Sequence, residues 1–91
     1  MLGVKPPIPL AVMVGPYLID VQIVPHSYIK KNLKLRPRDW VDGYWDNKLG
    51  DGRLAGRIFI NSRLSHKMQW KTFLHELQHA VIDLHDWDWE N

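Results

Sequence analysis

Two histidines and a glutamate stand in the run His75-Glu76-Leu77-Gln78-His79, the HExxH spacing. On a helix, residues four apart are surface neighbours with Cβ atoms roughly 6 Å apart, so His75 and His79 can hold one zinc ion between them. Glu76 falls on the adjacent strip, where its carboxylate can reach a water at the metal without being a ligand. A catalytic zinc takes three protein ligands and keeps one position open. The metal then polarises a scissile carbonyl and makes water acidic, while the glutamate moves the proton from water to the leaving amine. The residue types and their spacing therefore point to zinc-dependent hydrolysis. The competing reading is a helix with two incidental surface histidines. A chance HExxH in a chain this long arises on the order of once in a few hundred sequences, and the flanking residues add weight.

Those flanks supply the helix the chemistry needs. Trp70, Phe73, Leu74, Leu77, Val81 and Leu84 follow the i, i+3, i+4, i+7 rule of an amphipathic helix. His75, Glu76 and His79 lie beside that stripe. Ser65 is the expected N-cap, and the helix is expected from His66 to at least Val81. Upstream, Tyr17 to Val24 reads as a strand by its alternation, and Leu10 to Val14 as a shorter one before the turn Gly15-Pro16. Ser27 is the expected N-cap of a short helix through Leu33 and Leu35, stopped by Pro37. Gly43 to Asn47 and Ala55 to Ile60 read as a hairpin joined by the turn-rich Lys48 to Arg53, with Ile58 and Ile60 facing the core. The expected fold class is α+β: a small antiparallel sheet packed on a long C-terminal helix carrying HExxH.

Length and composition bound the rest. Ninety-one residues correspond to a single domain, 1–91, with a proline-rich N-terminal arm over residues 1–9. A chain this short buries a modest core, so a bound metal would help it fold. The absence of cysteine excludes disulfides and thiolate zinc sites. No apolar run reaches the length of a membrane span, and residues 8–14 make a poor signal segment, so a cytoplasmic protein is expected. The net charge of +2 is too small to imply nucleic acid. The cluster Lys30, Lys31, Lys34, Arg36, Arg38 has no base-reading motif beside it and reads as a solvated face.

The runs Gly43-Tyr-Trp-Asp46, Arg57 to Ser65 and Thr72 to Val81 resemble small zincin-type proteins. These include SprT-like and ImmA/IrrE-like metallopeptidase domains and short HExxH proteins of bacteriophages. The resemblance spans roughly residues 43–85, and HExxH is its most specific part. It implies a minimal zincin-like fold, Zn2+ as cofactor, His75 and His79 as ligands and Glu76 as general base. His85 has the spacing of the third ligand in the metzincin pattern HExxHxxGxxH. Here the turning glycine is replaced by Ile82, and no Met-turn follows. The downstream glutamate helix of gluzincins is not expected within the twelve residues after His79. His85 is the first choice for third ligand, and its binding requires the helix to end or loosen near Ile82 to Leu84. Asp83, Asp86, Asp88 and Glu90 are the alternatives. Positions 75 and 83 are about 12 Å apart along a helix axis, which suits Asp83 better to supporting His79 than to binding metal. Tyr44 and His66 are candidate oxyanion donors by residue type alone.

Two functions fit these residues. One is a zinc-dependent peptidase acting on protein or peptide substrates. The other is an assembly protein, in a virion if the chain is phage-encoded, that keeps a zincin-like fold and a structural zinc. Its N-terminal arm would then contact a protein partner.

Overall fold

The computed structural model describes residues 6–47 and 54–90, with side chains described as far as His85. The Lys48 to Arg53 connection and the side chains of Asp86, Asp88 and Glu90 lie outside the described residues. Elements run β1 (Ala11–Val14), β2 (Tyr17–Val24), α1 (His26–Asn32), β3 (Gly43–Asp46), β4 (Leu54–Asn61) and α2 (His66–Glu90). The fold class is α+β: one four-stranded sheet with a long C-terminal helix packed on it.

The sheet order is β1-β2-β4-β3. β1 and β2 form a tight antiparallel hairpin, Val14 opposite Tyr17, across Gly15 at φ +58 and Pro16. A positive φ at the first turn residue suits glycine and matches the twist of the flanking strands. β3 and β4 form the expected antiparallel hairpin, Gly43 opposite Ile60 and Asp46 opposite Arg57. The central pairing, β2 with β4, is parallel, so the sheet is mixed rather than wholly antiparallel. Parallel neighbours need a crossover connection. Here the chain supplies one through α1 and β3.

The sheet is covered on both faces. Ile19, Val21, Ile58 and Ile60 meet Phe73, Ala80 and Leu84 of α2, and Ile8 of the N-terminal arm joins this main core. Val24, Ile29 and Phe59 make a second core beneath α1. The buried stripe of α2 is thus Phe73, Leu77, Ala80 and Leu84, whereas Leu74 and Val81 lie on its exposed side. Helical spacing alone admits either set, and the sheet selects the one containing alanine because Ala80 lets the helix approach closely.

Local signals place α2 correctly. Ser65 Oγ accepts the Met68 amide at 3.3 Å, the bond that caps the helix. α1 departs from its expected bounds. Pro25 occupies the N-cap position instead of Ser27, and the helix ends at Asn32. Lys34 turns left-handed at φ 54, and its amide and that of Leu35 bond back to the Lys31 and Lys30 carbonyls. This Schellman arrangement closes the helix before Leu35.

One buried polar cluster ties the loops that lead into β3 and α2. The Arg63 amide donates to Asn61 Oδ1 at 3.0 Å, which fixes the orientation of the Asn61 side chain. Its Nδ2 then donates to His26 Nδ1 at 2.9 Å and to the Val41 carbonyl at 3.1 Å. His26 is also stacked on Trp40, with ring centroids 4.6 Å apart. Among the described residues, no helix is long and apolar enough to cross a membrane.

Candidate metal centre

α2 runs unbroken through the HExxH segment. It presents His75 and His79 on its exposed side, with ring centroids 4.7 Å apart and planes tilted by 49°. Two imidazoles sharing one zinc at about 2.1 Å, near the tetrahedral angle, would have centroids about 5 Å apart. The pair is therefore close to a chelating arrangement, and both rings face solvent, where an ion can reach them.

Glu76 is half-buried between α2 and the edge strand β3. Burial pushes its carboxyl above the usual glutamate range. Positive charge on His75 and His79, and a hydrogen bond from the Trp45 main-chain amide, pull it the other way. A carboxylate with raised proton affinity, beside two imidazoles, is suited to take a proton from water.

The alternation of the antiparallel ladder sets which way the Trp45 main-chain amide points. The Asn61 amide bonds to the Asp42 carbonyl at 2.8 Å, so 42 and 61 are a bonded pair. Tyr44 opposite Phe59 and Asp46 opposite Arg57 are then the next bonded pairs. Gly43 and Trp45 therefore turn their amides away from β4, towards the free edge of the sheet.

The remaining candidates are placed elsewhere. His85 is exposed on the same continuous helix, about 9 Å along the axis from His79 and about 120° away around it, so α2 does not bring it beside His75 and His79. Asp83 does not support His79. Its Oδ2 accepts the Trp45 indole N–H at 3.0 Å and the Asn47 side-chain amide at 2.8 Å. His66 contacts the N-terminal arm: its Nε2 lies 3.0 Å from the Pro6 carbonyl, which also accepts the Trp70 indole N–H at 2.8 Å. Tyr44 faces the α1 side of the sheet, in a cleft lined by Tyr28, Asn32 and Phe59, with its ring stacked on Phe59 at 4.9 Å between centroids. Neither Tyr44 nor His66 is an oxyanion donor at HExxH in this structure. Among the described residues, no group of three or more histidine or carboxylate side chains converges on one point.

Sequence reasoning missed Trp45 as the partner of Asp83 on α2. The available signal was its place in β3, the first strand of the hairpin that leads into α2, but a strand residue's type does not say which helix carboxylate it will meet.

The family model of the peptidase M78 IrrE N-terminal-like domain matches residues 25–86, about two thirds of the chain, and spans α1, the β3–β4 hairpin and the HExxH helix. No curated protein and no solved structure matches the chain.

Proposed function

Because this chain belongs to the peptidase M78 family of IrrE N-terminal-like domains, a zincin-like metallopeptidase family, we propose that it is a zinc-dependent peptidase acting on protein or peptide substrates. The observation that carries this reading is the near-chelating His75–His79 pair with Glu76 half-buried beside it. His75 and His79 would hold the ion through their imidazole nitrogens. Bound zinc supplies Lewis acidity, polarising the substrate carbonyl and lowering the pKa of water. Glu76 accepts the proton of the attacking water and returns it to the leaving amine. His85 joins the ligand set only if α2 opens after Asp83.

The test compares wild type, His75→Ala, His79→Ala and Glu76→Gln. Either histidine variant should lose zinc and melt lower in its presence, since binding and folding are coupled. Glu76→Gln should keep zinc and lose ~10²–10⁴ in turnover of an unfolded protein substrate. Zinc-loaded wild type that cleaves nothing, with a Gln variant of unchanged stability and assembly, would favour the scaffold reading. Cleavage undiminished in Glu76→Gln would identify a contaminating protease and refute the enzyme.

A further inference from the structure

The face of the sheet opposite α2 carries a second concave site. A cleft of about 420 Å³ lies between α1 and the end of β3, lined by Tyr28, Asn32, Leu33, Tyr44, Asp46 and Asn47. That volume is typical of a small-ligand pocket. Phe59 is its buried base: Tyr44 is stacked on that ring at 4.9 Å and Tyr28 tilts against it at 5.5 Å, both between centroids. Tyr28 is 41% exposed, so part of its ring is open to a ligand. Along α1 and the turn that closes it, Lys30, Lys31 and Lys34 alternate with the lining residues Tyr28, Asn32 and Leu33. Arg36 pairs with Asp39, and Arg57 with Asp20. Lys30, Lys31, Lys34 and Arg38 have no carboxylate within ion-pair distance among the described residues. Lys34, next to the lining Leu33, is held at φ 54, the only positive φ outside glycine among the described residues. The position that closes a helix this way suits glycine, so a lysine there strains the backbone while adding charge beside the cleft.

We propose that this cleft and the lysines around it bind single-stranded nucleic acid: a base enters the cleft against Tyr28, and Lys30, Lys31 and Lys34 hold the adjoining phosphates. Aromatic faces stack on any base, and cations beside them neutralise the backbone. Asn32, Asn47 and Asp46 bring amide and carboxylate groups into the cleft, the types that pair with base edges. The chemistry favours nucleic acid over an acidic protein. Carboxylates would satisfy the lysines but leave the aromatic cleft unfilled, and Asp46 inside it would repel them. A duplex is disfavoured because its bases are already stacked and paired, whereas an unpaired base can be splayed into a pocket. Tyr44, Asp46 and Asn47 join the basic run only through the folding of β3, which is why that run reads as a solvated face from sequence alone. The site needs neither zinc nor HExxH.

The experiment is fluorescence anisotropy of the metal-free full chain with a labelled mixed-sequence strand of about twelve nucleotides, as DNA and as RNA, and with the matching DNA duplex. The single strand should bind more tightly than the duplex. Its affinity should fall with salt at a log–log slope of about −2, the value for three lysines on single-strand phosphates. Lys31→Gln and Lys34→Gln should each weaken binding and reduce that slope by about 0.7. Tyr28→Ala should weaken binding about fivefold or more at an unchanged slope, the mark of lost stacking. Tyr28→Phe keeps the ring and should stay within about threefold of wild type. Lys34→Gly should raise the melting temperature, because it relieves the left-handed backbone, and still weaken binding. A wild type that binds no strand at about 50 mM salt overturns the proposal. So does a duplex bound as tightly as the single strand, or equal binding by Tyr28→Ala and wild type, since the cleft would then hold no base. Unchanged binding by Lys34→Gly overturns it too. Polyglutamate that displaces the strand at equal charge concentration would identify the partner as an acidic polypeptide and overturn it as well.

Discussion

Gly56→Ala is the sharpest test of how β3 is seated. A Cβ at position 56 would lie 2.3 Å from the Asp46 carbonyl oxygen and 2.7 and 2.9 Å from Trp45 ring carbons. The first of these is main chain of the paired strand and cannot rotate away. Relief requires β3 to move off β4, or the indole to lift towards α2 and give up its bond to Asp83. Overpacking of this kind costs about 1–3 kcal/mol. In a domain of this size that corresponds to a melting temperature lower by roughly 5–20 °C. Gly15→Ala is the control. Its φ of +58 makes a side chain unfavourable, but no atom lies within 4 Å of the added Cβ. A left-handed alanine costs about 1 kcal/mol, confined to the β1–β2 turn. The assay is calorimetry of the metal-free proteins, with near-UV circular dichroism to follow the tryptophan environment. Gly56→Ala should lose stability and alter the tryptophan signal, whereas Gly15→Ala should lose less and leave that signal alone. A Gly56→Ala protein that melts within about 2 °C of wild type with an unchanged near-UV spectrum would refute the packing argument.

Three further outcomes follow. His85→Ala should leave zinc affinity unchanged, because α2 continues past His79 and holds His85 apart; a tenfold weakening in a zinc competition titration would show that the helix opens on binding metal. The raised pKa of Glu76 means that the metal-free folded state holds its proton more tightly than the unfolded chain does. The cost of burying the carboxylate is then absent below the ordinary glutamate range and fully present above the folded pKa. Glu76→Gln should therefore raise the melting temperature of the metal-free protein at pH 7 and change it little at pH 4; equal effects at both would show that the carboxylate is not desolvated. Asn61→Ala strands the Val41 carbonyl and the Arg63 amide in a buried cluster, which costs about 1–3 kcal/mol per unsatisfied group; urea unfolding with an unchanged midpoint would refute that role.

Much of this protein is written in local patterns. The HExxH spacing, the Ser65 cap and the apolar run of α2 all depend on contacts within a few residues, so they were legible in the sequence. So was the β3–β4 hairpin, because turn-rich residues join two alternating segments. The sequence by itself also marks His75 and His79 as neighbours, since helical periodicity alone brings their rings together. What it could not carry is long-range pairing. The parallel β2–β4 ladder depends on how α1 and β3 cross over. Which stripe of α2 is buried depends on the sheet accepting Ala80 at close range, and that placed Leu74 and Val81 outside. Asp83 looked like a helper for His79 by helical spacing, but Trp45 and Asn47 of β3 claim its carboxylate. His85 kept a ligand's offset in sequence while an unbroken helix carried it away in space. Helical spacing determines which residues of α2 are neighbours; the packing of β3 against α2 decides which of them share a site.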